Sequence, residues 1–539
     1  MISKLSAWCV AGRVFSGRGA ATAIAAVVLS MTFAADANAQ TFEDAIRFSQ
    51  RQPMSGVRSL GMAGAGVSGI DDHTALLTNP AGLGYATGSS FSASLSFFST
   101  DDRADYVLGS ASPRDNTSSV AGIGHIAYMH KVPTRRGALV VGAGINQVQT
   151  FDRELVYRGS NGLNSVTDFF MPISGEFQIE TNSGPDNVFG TPDDEFLPSF
   201  TRDLSFIAFQ LFAIDLDVDA YESGDPVPFL PAVTTGAVEQ SGSVRERGFM
   251  HELNFGGAVE PAENVMVGAS LNIPFGKWEL DRFAAEEDIN DDNNGLGGTV
   301  DFNYLEWTQL IESQLVGVNL RAGVSVRTRS GFSVGASIET PTYYEISEDY
   351  STTMYVEFDD GYADTYGDQF EEDAGAGSFD YNVISPWRVG VGIGYSGRQL
   401  RLFADAELVD WGQLELDAEG FSFANENRLI REQLDGTVSL RLGGEYDFGR
   451  IVGRLGLAAV PDQRMETAGR NGDAPRVDRE RAYFTAGLTY EASRQFAIDF
   501  GWSAEQFNDV FVPYAVDGAP TIFEDVLRGR FAIGVRARI

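Results

Sequence analysis

The sequence predicts an all-β fold: a transmembrane antiparallel β-barrel of about 14 strands with an N-terminal hatch inside its lumen. Three features predict it: an export signal at the start of the chain, apolar residues that alternate with polar or small ones, and connections that alternate between short and long. A membrane-spanning sheet has to close on itself because hydrocarbon cannot hydrogen-bond an unpaired backbone amide.

The first 39 residues have the pattern of a cleaved secretory signal peptide. A basic start precedes small and apolar residues from Ala20 to Ala35, and Ala37-Asn38-Ala39 then presents small residues at the positions that a signal peptidase reads. The only cysteine, Cys9, lies in this segment. We therefore expect the mature chain to contain no disulfide, no thiol nucleophile and no cysteine-ligated metal.

The chain of 539 residues carries a net charge of −36. Nucleic-acid binding requires the opposite sign, so no nucleic-acid partner is expected. No stretch after the signal reaches the roughly 20 apolar residues of a membrane helix. An exported chain of this kind is either soluble or crosses a membrane as strands.

Apolar residues recur at every second position in many segments after Gly88. Clear examples are Val438–Phe448, Phe496–Trp502 and Phe531–Ile539. Successive side chains of a strand point to opposite faces, so each of these segments has one apolar face and one polar or small-residue face.

Fourteen strands are predicted, and the connections between them alternate in length. The strands span 88–98, 120–132, 137–151, 244–259, 264–283, 311–327, 331–353, 378–396, 399–417, 436–447, 450–460, 481–491, 495–503 and 528–539. An even strand number, with short turns on one side and long loops on the other, is typical of outer-membrane barrels. A soluble acidic β protein also alternates, but that alternative does not explain the loop lengths.

Three segments follow from this pattern: a signal peptide at 1–39, a hatch at 40–87 and a barrel at 88–539, whose longest loop is 152–243. The long loops at 284–310 and 354–377 are rich in acids and contain no Lys or Arg. We expect the short turns at the periplasmic face and the long loops outside the cell.

The stretch Gly64-x-Gly66-x-x-Gly69 satisfies the pattern of a dinucleotide-binding loop. Such a loop requires a hydrophobic strand before the glycines and a helix after them, within a βαβ unit. Polar residues at 49–55 precede it here and an antiparallel meander follows, so the sequence predicts no nucleotide site. The glycines instead suit a plug that turns and packs tightly in a confined lumen.

Several motifs carry a resemblance to a known family. They are Arg58-Ser-Leu-Gly-Met-Ala-Gly-Ala-Gly66, Asn79-Pro-Ala-Gly-Leu83, Ser385-Pro-Trp-Arg388, Leu408-Val-Asp-Trp-Gly-Gln413 and Val460-Pro-Asp-Gln463. With them the mature chain resembles the FadL/TodX family of outer-membrane transport proteins. The resemblance implies a fourteen-stranded barrel for fatty acids or aromatic hydrocarbons, with a hatch that contains Gly61, Gly64, Gly66, Asn79, Pro80 and Ala81. One departure is the C-terminus, since such barrels often end in an aromatic residue and this chain ends in Ile539.

The resemblance also suggests partners. We expect a monomer in contact with outer-membrane lipid, barrel-assembly machinery and a small hydrophobic ligand, with no cofactor. Some relatives, such as PorV, carry protein cargo for secretion machinery, so a protein-interaction role in a secretion system is the alternative. A general porin is a third hypothesis, against which the hatch argues.

Residues 200–214 predict an apolar helix in the longest loop. Its candidate ligand contacts are Leu204, Phe206, Ile207, Leu211 and Phe212, because exposed apolar patches often mark binding surfaces. The alternative is that this helix packs under its own loop and caps the barrel.

Arginines on the predicted inward faces are candidates for binding a carboxylate head group, because a guanidinium holds a carboxylate through two parallel hydrogen bonds. Arg388 and Arg401 are the candidates for this role. The alternative, which we favour, is a network of paired charges in the lumen.

Two further features leave alternatives open. Pro274 interrupts a strand pattern, which indicates either a lateral opening or a strand end near the rim. Asp288, Asn290 and Asp292 offer oxygen ligands at alternate positions, like the start of a calcium loop, but no glutamate occupies the twelfth position. Acidic outer loops are usually only solvated, so the sequence predicts no firm metal site.

The sequence predicts no enzyme. Gly331-x-Ser333-x-Gly335 matches a nucleophile elbow, but that elbow lies between a strand and a helix, whereas a strand pattern continues through this segment. The first interpretation is a passive channel for hydrophobic compounds. In it, ligand meets the outer loops, enters the lumen and passes when the hatch shifts.

Overall fold

The computed structural model describes residues 41–539, except 53, 109–111, 184–194, 235, 292, 294–301, 368–374, 466–476 and 478. The signal peptide predicted at 1–39 lies outside the described residues, as does the candidate calcium ligand Asp292.

The described chain is mostly β-strand. The strands are β1 Ser90–Tyr106, β2 Arg114–Val132, β3 Leu139–Thr150, β4 Arg153–Asn161, β5 Phe177–Asn182, β6 Glu195–Phe200, β7 Ile214–Leu216, β8 Phe229–Pro231, β9 Val238–Ala262, β10 Val265–Glu287, β11 Phe302–Arg327, β12 Phe332–Glu339, β13 Tyr343–Phe358, β14 Ala363–Tyr366, β15 Ala376–Ile384, β16 Arg388–Ser396, β17 Leu400–Asp410, β18 Glu415–Asp417, β19 Gly436–Asp447, β20 Ile451–Val460, β21 Arg481–Glu491, β22 Phe496–Phe511 and β23 Ile522–Arg538.

The helices are short and lie in the N-terminal segment and the long loops. They are α1 Phe42–Ser49, α2 Val57–Leu60, α3 Val166–Phe170, α4 Asp203–Gln210, α5 Val218–Ser223 and α6 Ala424–Gln433, with 3₁₀ helices at His73–Leu77, Pro80–Tyr85 and Trp411–Gln413. Among the described residues, no helix has the length and apolar character needed to cross a bilayer.

The barrel is closed, antiparallel and fourteen-stranded, as the sequence predicts. Closure is direct: β1 pairs with β23 from Ser90 opposite Arg538 to Tyr106 opposite Ile522. Some wall positions are shared by two consecutive strands. β11 pairs with both β12 and β13, and these two pair with β16 and β15 respectively.

Two prolines divide wall positions that the sequence predicts as continuous strands. Pro341 lies between β12 and β13, and Pro386 lies between β15 and β16. Proline donates no hydrogen bond to a ladder, so a strand breaks or kinks there. Pro274, by contrast, lies within the continuous β10 and opposite Glu252 of β9. It interrupts only the ladder to β11, which resumes at Phe275.

The outward face carries an apolar belt that begins at the short turns. On β11 it includes Val316, Val318 and Leu320, whose side chains are 46 to 55% exposed. Large apolar side chains in water at this density would be unfavourable, so the belt faces lipid hydrocarbon. Aromatic residues mark its two edges: Phe332, Tyr446, Phe448 and Tyr490 near the short turns, and Phe97, Tyr343, Trp387 and Phe531 on the other side.

Acidic residues replace apolar ones on the outward face above the belt. On β11 the outward series continues from Val316 through Gln314 to Glu312, which pairs with Asp349 of β13. The strands thus extend well beyond the hydrocarbon on the side of the long loops. We call that side upper and the side of the short turns lower.

Candidate functional site

The N-terminal segment lies inside the barrel as two parts that pack differently. The hatch core, residues 54–86, occupies the lower lumen, and the hatch helix, α1, occupies the upper lumen. Residues 50–52 join them along the wall. Together the two parts close the route through the lumen.

The hatch core packs backbone against backbone on a wall of inward-facing glycines. A Cβ atom built on any of these glycines would lie within 3.0 Å of a hatch atom, so a larger residue has no room there. The wall glycines with this contact include Gly268, Gly323, Gly335, Gly443, Gly456, Gly487 and Gly501. Gly61 of the hatch faces Gly487 in the same way, with its built Cβ 2.9 Å from the Gly487 Cα atom.

The contacts of Asn79 show what the Asn-Pro-Ala-Gly-Leu motif does in the fold. Its side-chain oxygen accepts a hydrogen bond from the Ala81 N–H (3.1 Å), which caps the 3₁₀ helix that begins at Pro80. Its amide nitrogen donates to the carbonyl oxygens of Val67 (2.7 Å) in the hatch and Val324 (3.0 Å) in β11. One side chain therefore ties two hatch segments to the wall.

Gly64 and Gly66 serve a neighbouring turn. Gly64 has a φ of 79°, which favours glycine. The backbone N–H groups of Gly66 (2.5 Å) and Val67 (2.9 Å) donate to one carboxylate oxygen of Asp405 in β17. Gly66 of the dinucleotide-like stretch thus helps to hold a wall carboxylate, and the chain that precedes the glycines is helix α2 and not a hydrophobic strand.

A buried ion network also fastens the hatch core to β17 and to its neighbour β19. Arg58 donates to Glu445 of β19 (2.7 and 3.1 Å), to Asp71 (2.6 Å) and to Asp72 (3.2 Å). Arg401 contacts the same Asp71 (3.3 Å) and Glu445 (3.1 Å). Opposite charges that are buried together and hydrogen-bonded satisfy one another, whereas a single one would be costly.

The hatch helix α1 packs through side chains. Phe42, Ala45, Ile46 and Phe48 are buried in one apolar cluster that includes residues from the wall and from α6. The Phe48 ring meets Phe151 and Trp278 edge to face, at centroid distances of 6.0 and 6.2 Å. The upper lumen is therefore an apolar chamber, and the chain's own helix fills it.

Polar contacts hold α1 at its ends. Glu426 of α6 accepts the N–H of Phe42 (3.0 Å), and Glu43 pairs with Arg464. The Arg47 guanidinium lies 4.0 Å over the Trp278 ring and 3.5 Å from Glu246. These contacts are few and involve long side chains, so α1 is held less rigidly than the hatch core.

A small polar cavity of about 70 Å³ lies between the two hatch parts. Its charged lining comprises Arg51, Arg321, Glu339, Arg388, Glu407 and Arg441. Arg51 contacts Glu339 (2.8 Å) and Arg441 contacts Glu407 (3.0 Å). The cavity is too small for a fatty acid or an aromatic hydrocarbon, so the route is closed in this state.

The wall has a seam next to this cavity. β3 pairs with β2 only from Val132 opposite Leu139 to His125 opposite Asn146. Above that level β3 has a register shift against β9 between Gln147 and Gln149, and β2 pairs with β1 alone among the described residues. Side-chain bonds span the seam: His251 to the Ile123 carbonyl (3.1 Å) and Asn116 to the Glu154 carbonyl (3.2 Å).

The hatch takes up the hydrogen bonds that β2 does not make to the shifted part of β3. The Ser55 hydroxyl donates to the Gln147 carbonyl (3.0 Å), and the Gln52 N–H donates to the Val148 carbonyl (3.0 Å). Buried carbonyls are normally paired, so displacement of residues 52–55 would release both carbonyls. The seam and the hatch are therefore mechanically linked. The sequence carries no marked signal for this seam, because Gln147 and Gln149 continue a strand pattern.

Arg388 and Arg401 are both bound by groups of the chain itself. Arg388 donates to the Ser49 carbonyl (2.5 Å), lies 3.6 Å from Glu407 and stacks 5.5 Å over Trp411. Arg401 belongs to the network of Arg58. This arrangement has the form of the charge network that we favoured from the sequence.

The predicted ligand helix exists as α4, and its five candidate residues divide into two sets. Leu204, Ile207 and Leu211 are buried in a cluster under the loop. Phe206 is half-buried and meets Tyr366 edge to face at 5.8 Å, while Phe212 is 47% exposed. Two of the five side chains are thus available to a ligand from outside.

The candidate calcium ligands are described only in part. The Asp288 carboxylate accepts the backbone N–H groups of Asn290 (3.2 Å) and Asn293 (2.8 Å), which forms a turn. Within the described ranges no group of three or more His, Asp or Glu side chains could hold a metal ion. Ser333 lies within β12 and has no helix after it, unlike the serine of a nucleophile elbow.

Several solved structures have a fold similar to this one. No protein-family profile matches the chain, and no curated protein matches it. Among solved structures, it is similar to the toluene transporters TodX of Pseudomonas putida and TbuX of Ralstonia pickettii, at 12% and 16% identity and TM-scores of 0.48 and 0.47, over 90% of this chain and 99% of each of theirs.

A crystal structure of a Pseudomonas aeruginosa FadL homologue aligns with a TM-score of 0.50 and 12% identity, over 90% of this chain and 98% of that chain. At this identity the likeness concerns the fold. The chain therefore has a FadL/TodX-like fold, a closed fourteen-stranded transmembrane barrel.

Proposed function

We propose that this protein is an outer-membrane channel for passive uptake of hydrophobic compounds, gated by its N-terminal segment. The observation that carries the proposal is the apolar chamber in the upper lumen, filled by Phe42, Ala45, Ile46 and Phe48 of α1. A water-filled porin has a polar lumen, whereas this chamber offers an apolar solute the same contacts that α1 now makes. Displacement of α1 by ligand needs no nucleotide or other energy source.

The seam between β2 and β3 supports a lateral exit. It lies level with Ile123, whose side chain is 48% exposed in the apolar belt, and it adjoins the cavity below α1. An apolar solute that leaves there enters hydrocarbon without crossing water, which the hydrophobic effect favours. We propose this seam, and not Pro274, as the lateral opening, with Ser55 and Gln52 coupling it to the hatch.

The first contact outside the cell is proposed at the exposed part of α4, with Phe206 and Phe212. Partners follow from the apolar belt: outer-membrane lipid around a monomeric barrel, with barrel-assembly machinery to insert it. Structurally similar proteins include toluene transporters and a FadL homologue, which supports aromatic hydrocarbons or fatty acids as the solute class.

A reversible cross-link tests the gating. With Cys9 in the predicted signal peptide, no other cysteine is present, so Glu43→Cys with Arg464→Cys provides one defined pair between α1 and the loop after β20. A reducible bifunctional maleimide joins the two. We expect uptake of radiolabelled oleate and toluene by intact Gram-negative cells to fall to the level of cells without the protein, and to recover on reduction.

The control joins Arg428→Cys to Glu432→Cys, an exposed pair one turn apart on α6, which leaves α1 free. Unchanged uptake in the cross-linked α1 variant would contradict gating by the hatch helix. Absence of uptake in the wild type, together with co-purification of a secreted protein, would favour the secretion-partner role.

A further inference from the structure

One arginine of the upper lumen, Arg282, has no acid beside it among the described residues and has a buried Nε without an acceptor. Arg282 lies on the inward face of β10, two inward positions beyond Trp278, which contacts α1. At about 3.4 Å per residue this is roughly 13 Å along the strand from Trp278, on the side of the long loops.

The Arg282 guanidinium has no carboxylate partner among the described residues, and its Nε is buried without an acceptor. The nearest acid on the same strand face, Glu286, is turned away: its carboxylate accepts hydrogen bonds from Ser165, the Val166 N–H and Gln240. An unpaired buried cation is unfavourable, so this position is retained at a cost to stability.

Aromatic rings surround Arg282 instead. Its guanidinium carbon lies 4.7 Å from the Trp307 ring centre and 5.4 Å from that of Phe511, and the Tyr157 ring lies 5.9 Å from Phe511. These rings come from β11, β22 and β4, so three separate parts of the wall converge here. The Trp307 Nε1–H is also buried without an acceptor.

Other lumenal arginines with ring contacts have hydrogen-bond acceptors or acid partners. Arg530, over Phe98, donates to the Met54 carbonyl oxygen. Arg327, over Tyr85, donates to the Gly69 carbonyl oxygen. Arg481 lies 4.6 Å over Phe507 and also 3.2 Å from Glu505. Arg47 lies over Trp278 and 3.5 Å from Glu246. Around Arg282 the described residues provide donors and aromatic rings but no carboxylate partner, which is the complement of an anion on an apolar body.

We propose that Arg282, walled by Trp307, Phe511 and Tyr157, is a binding site at the mouth of the barrel for the carboxylate of an amphipathic solute. The site deepens the proposed function, since it assigns to the channel a preference for apolar molecules with one carboxylate over neutral ones. A bound carboxylate would supply the acceptor that the guanidinium lacks, and the rings would contact the apolar body.

The test compares 4-phenylbutyrate with 4-phenylbutanol, which share a skeleton and differ in the carboxylate. Binding to the purified full chain is measured by isothermal titration at pH 7.5. Charge-assisted hydrogen bonds are strong enough to give the acid an advantage of about tenfold or more. Arg282→Met should remove that advantage and leave the alcohol unchanged, and Arg282→Lys should retain part of it.

Arg329→Met is the matched control, because it removes the same charge from an exposed lower turn. Folding of Arg282→Met is checked by heat-modifiable gel mobility, and no loss is expected because no acid loses its partner. Equal binding of acid and alcohol by the wild type, or an unchanged preference in a folded Arg282→Met, would overturn this site while the uptake proposal stands. If neither probe binds and neither oleate nor toluene enters cells, the proposed function itself is wrong.

Discussion

The N-terminal segment closes both the lower and the upper lumen, but it does so through different kinds of contact. In the lower lumen, the hatch core places backbone atoms against wall glycines and buries an ion network around Arg58. In the upper lumen, α1 places ordinary apolar side chains in an apolar chamber. Backbone contacts against glycine have one geometry, whereas apolar side chains can be replaced by any apolar molecule of similar size.

This difference indicates which part of the N-terminal segment moves when a ligand binds. A solute can compete with α1 because it offers equivalent apolar burial, which contributes about 25 cal/mol per Å². No solute can supply the contacts of Asn79 or Arg58 with the wall. We therefore expect α1 and the residues 50–55 beside the seam to respond to ligand, while the hatch core stays in place.

The largest effect should come from Arg58→Met. It leaves Asp71, Asp72 and Glu445 buried without this cation, and loss of one partner of a buried network costs about 3–5 kcal/mol. We expect a clear fall in the temperature at which the purified barrel loses its heat-modifiable band. Arg428→Met, which removes an exposed pair on α6, should change it by less than about 1 kcal/mol. Equal effects of the two variants would contradict a tightly fastened hatch core.

Phe48→Ala should act on transport and leave the barrel folded. Removal of a buried phenylalanine costs about 3–5 kcal/mol of local packing, here confined to the contacts of α1 with Phe151 and Trp278. Oleate uptake by cells is expected to rise several-fold in the absence of other changes. Phe448→Ala, at an outward position that is 69% exposed, is the control. A loss of uptake in Phe48→Ala with normal folding would contradict α1 as the gate.

Gly323→Ala tests the glycine wall. The added methyl group would meet Asn79, and overpacking of this kind costs about 1–3 kcal/mol. We expect a moderately lower unfolding temperature and greater protease sensitivity of residues 54–86. Gly529→Ala is matched to it, because the nearest atom to a Cβ there is the Ser99 carbonyl oxygen at 3.9 Å. Equal unfolding temperatures and equal protease sensitivities of the two variants would contradict a role of the wall glycines in packing the hatch core.

The smallest effect concerns the loops above the belt. Burial raises the pKa of Glu286 to about 7. Between the ordinary pKa of a glutamate and pH 7, the folded state therefore binds a proton that the unfolded state releases. The local free energy of unfolding should therefore fall as pH rises through that window. Hydrogen exchange of residues 162–170, corrected for intrinsic rates, should be slower at pH 5.5 than at pH 7.5, and Glu286→Gln should remove the difference. The opposite slope would contradict the assignment.

Most of the wall could be predicted from the sequence, because lipid on one face and the lumen on the other impose alternation. Each of the fourteen predicted strands overlaps an observed wall position. The errors concentrate at the upper ends: the first strand, predicted to end at residue 98, continues to Tyr106, and the strand predicted from 311 begins at Phe302. Above the belt both faces of the strands are polar or covered by loops. Apolar and polar residues therefore no longer alternate there, and the strand ends cannot be predicted from the sequence.

The site was harder to predict because it depends on contacts between distant segments. Asn79 and the glycines signal a tight plug, but nothing local shows that Gly323 faces Asn79 or that Glu426 caps α1. Arg388 and Arg401 attract attention as inward arginines, yet both have acceptors in the fold. Arg282 has the same local pattern, and only the three-dimensional arrangement shows that it has aromatic rings and, among the described residues, no acid beside it.

Hydrogen–deuterium exchange of the purified barrel, with and without saturating oleate, tests the central claim most directly. We predict that ligand increases exchange in α1 and in residues 50–55, and that residues 57–86 exchange at unchanged rates. The claim would be contradicted if ligand exposed residues 57–86 while α1 stayed protected, because the solute would then displace the part whose contacts it cannot replace.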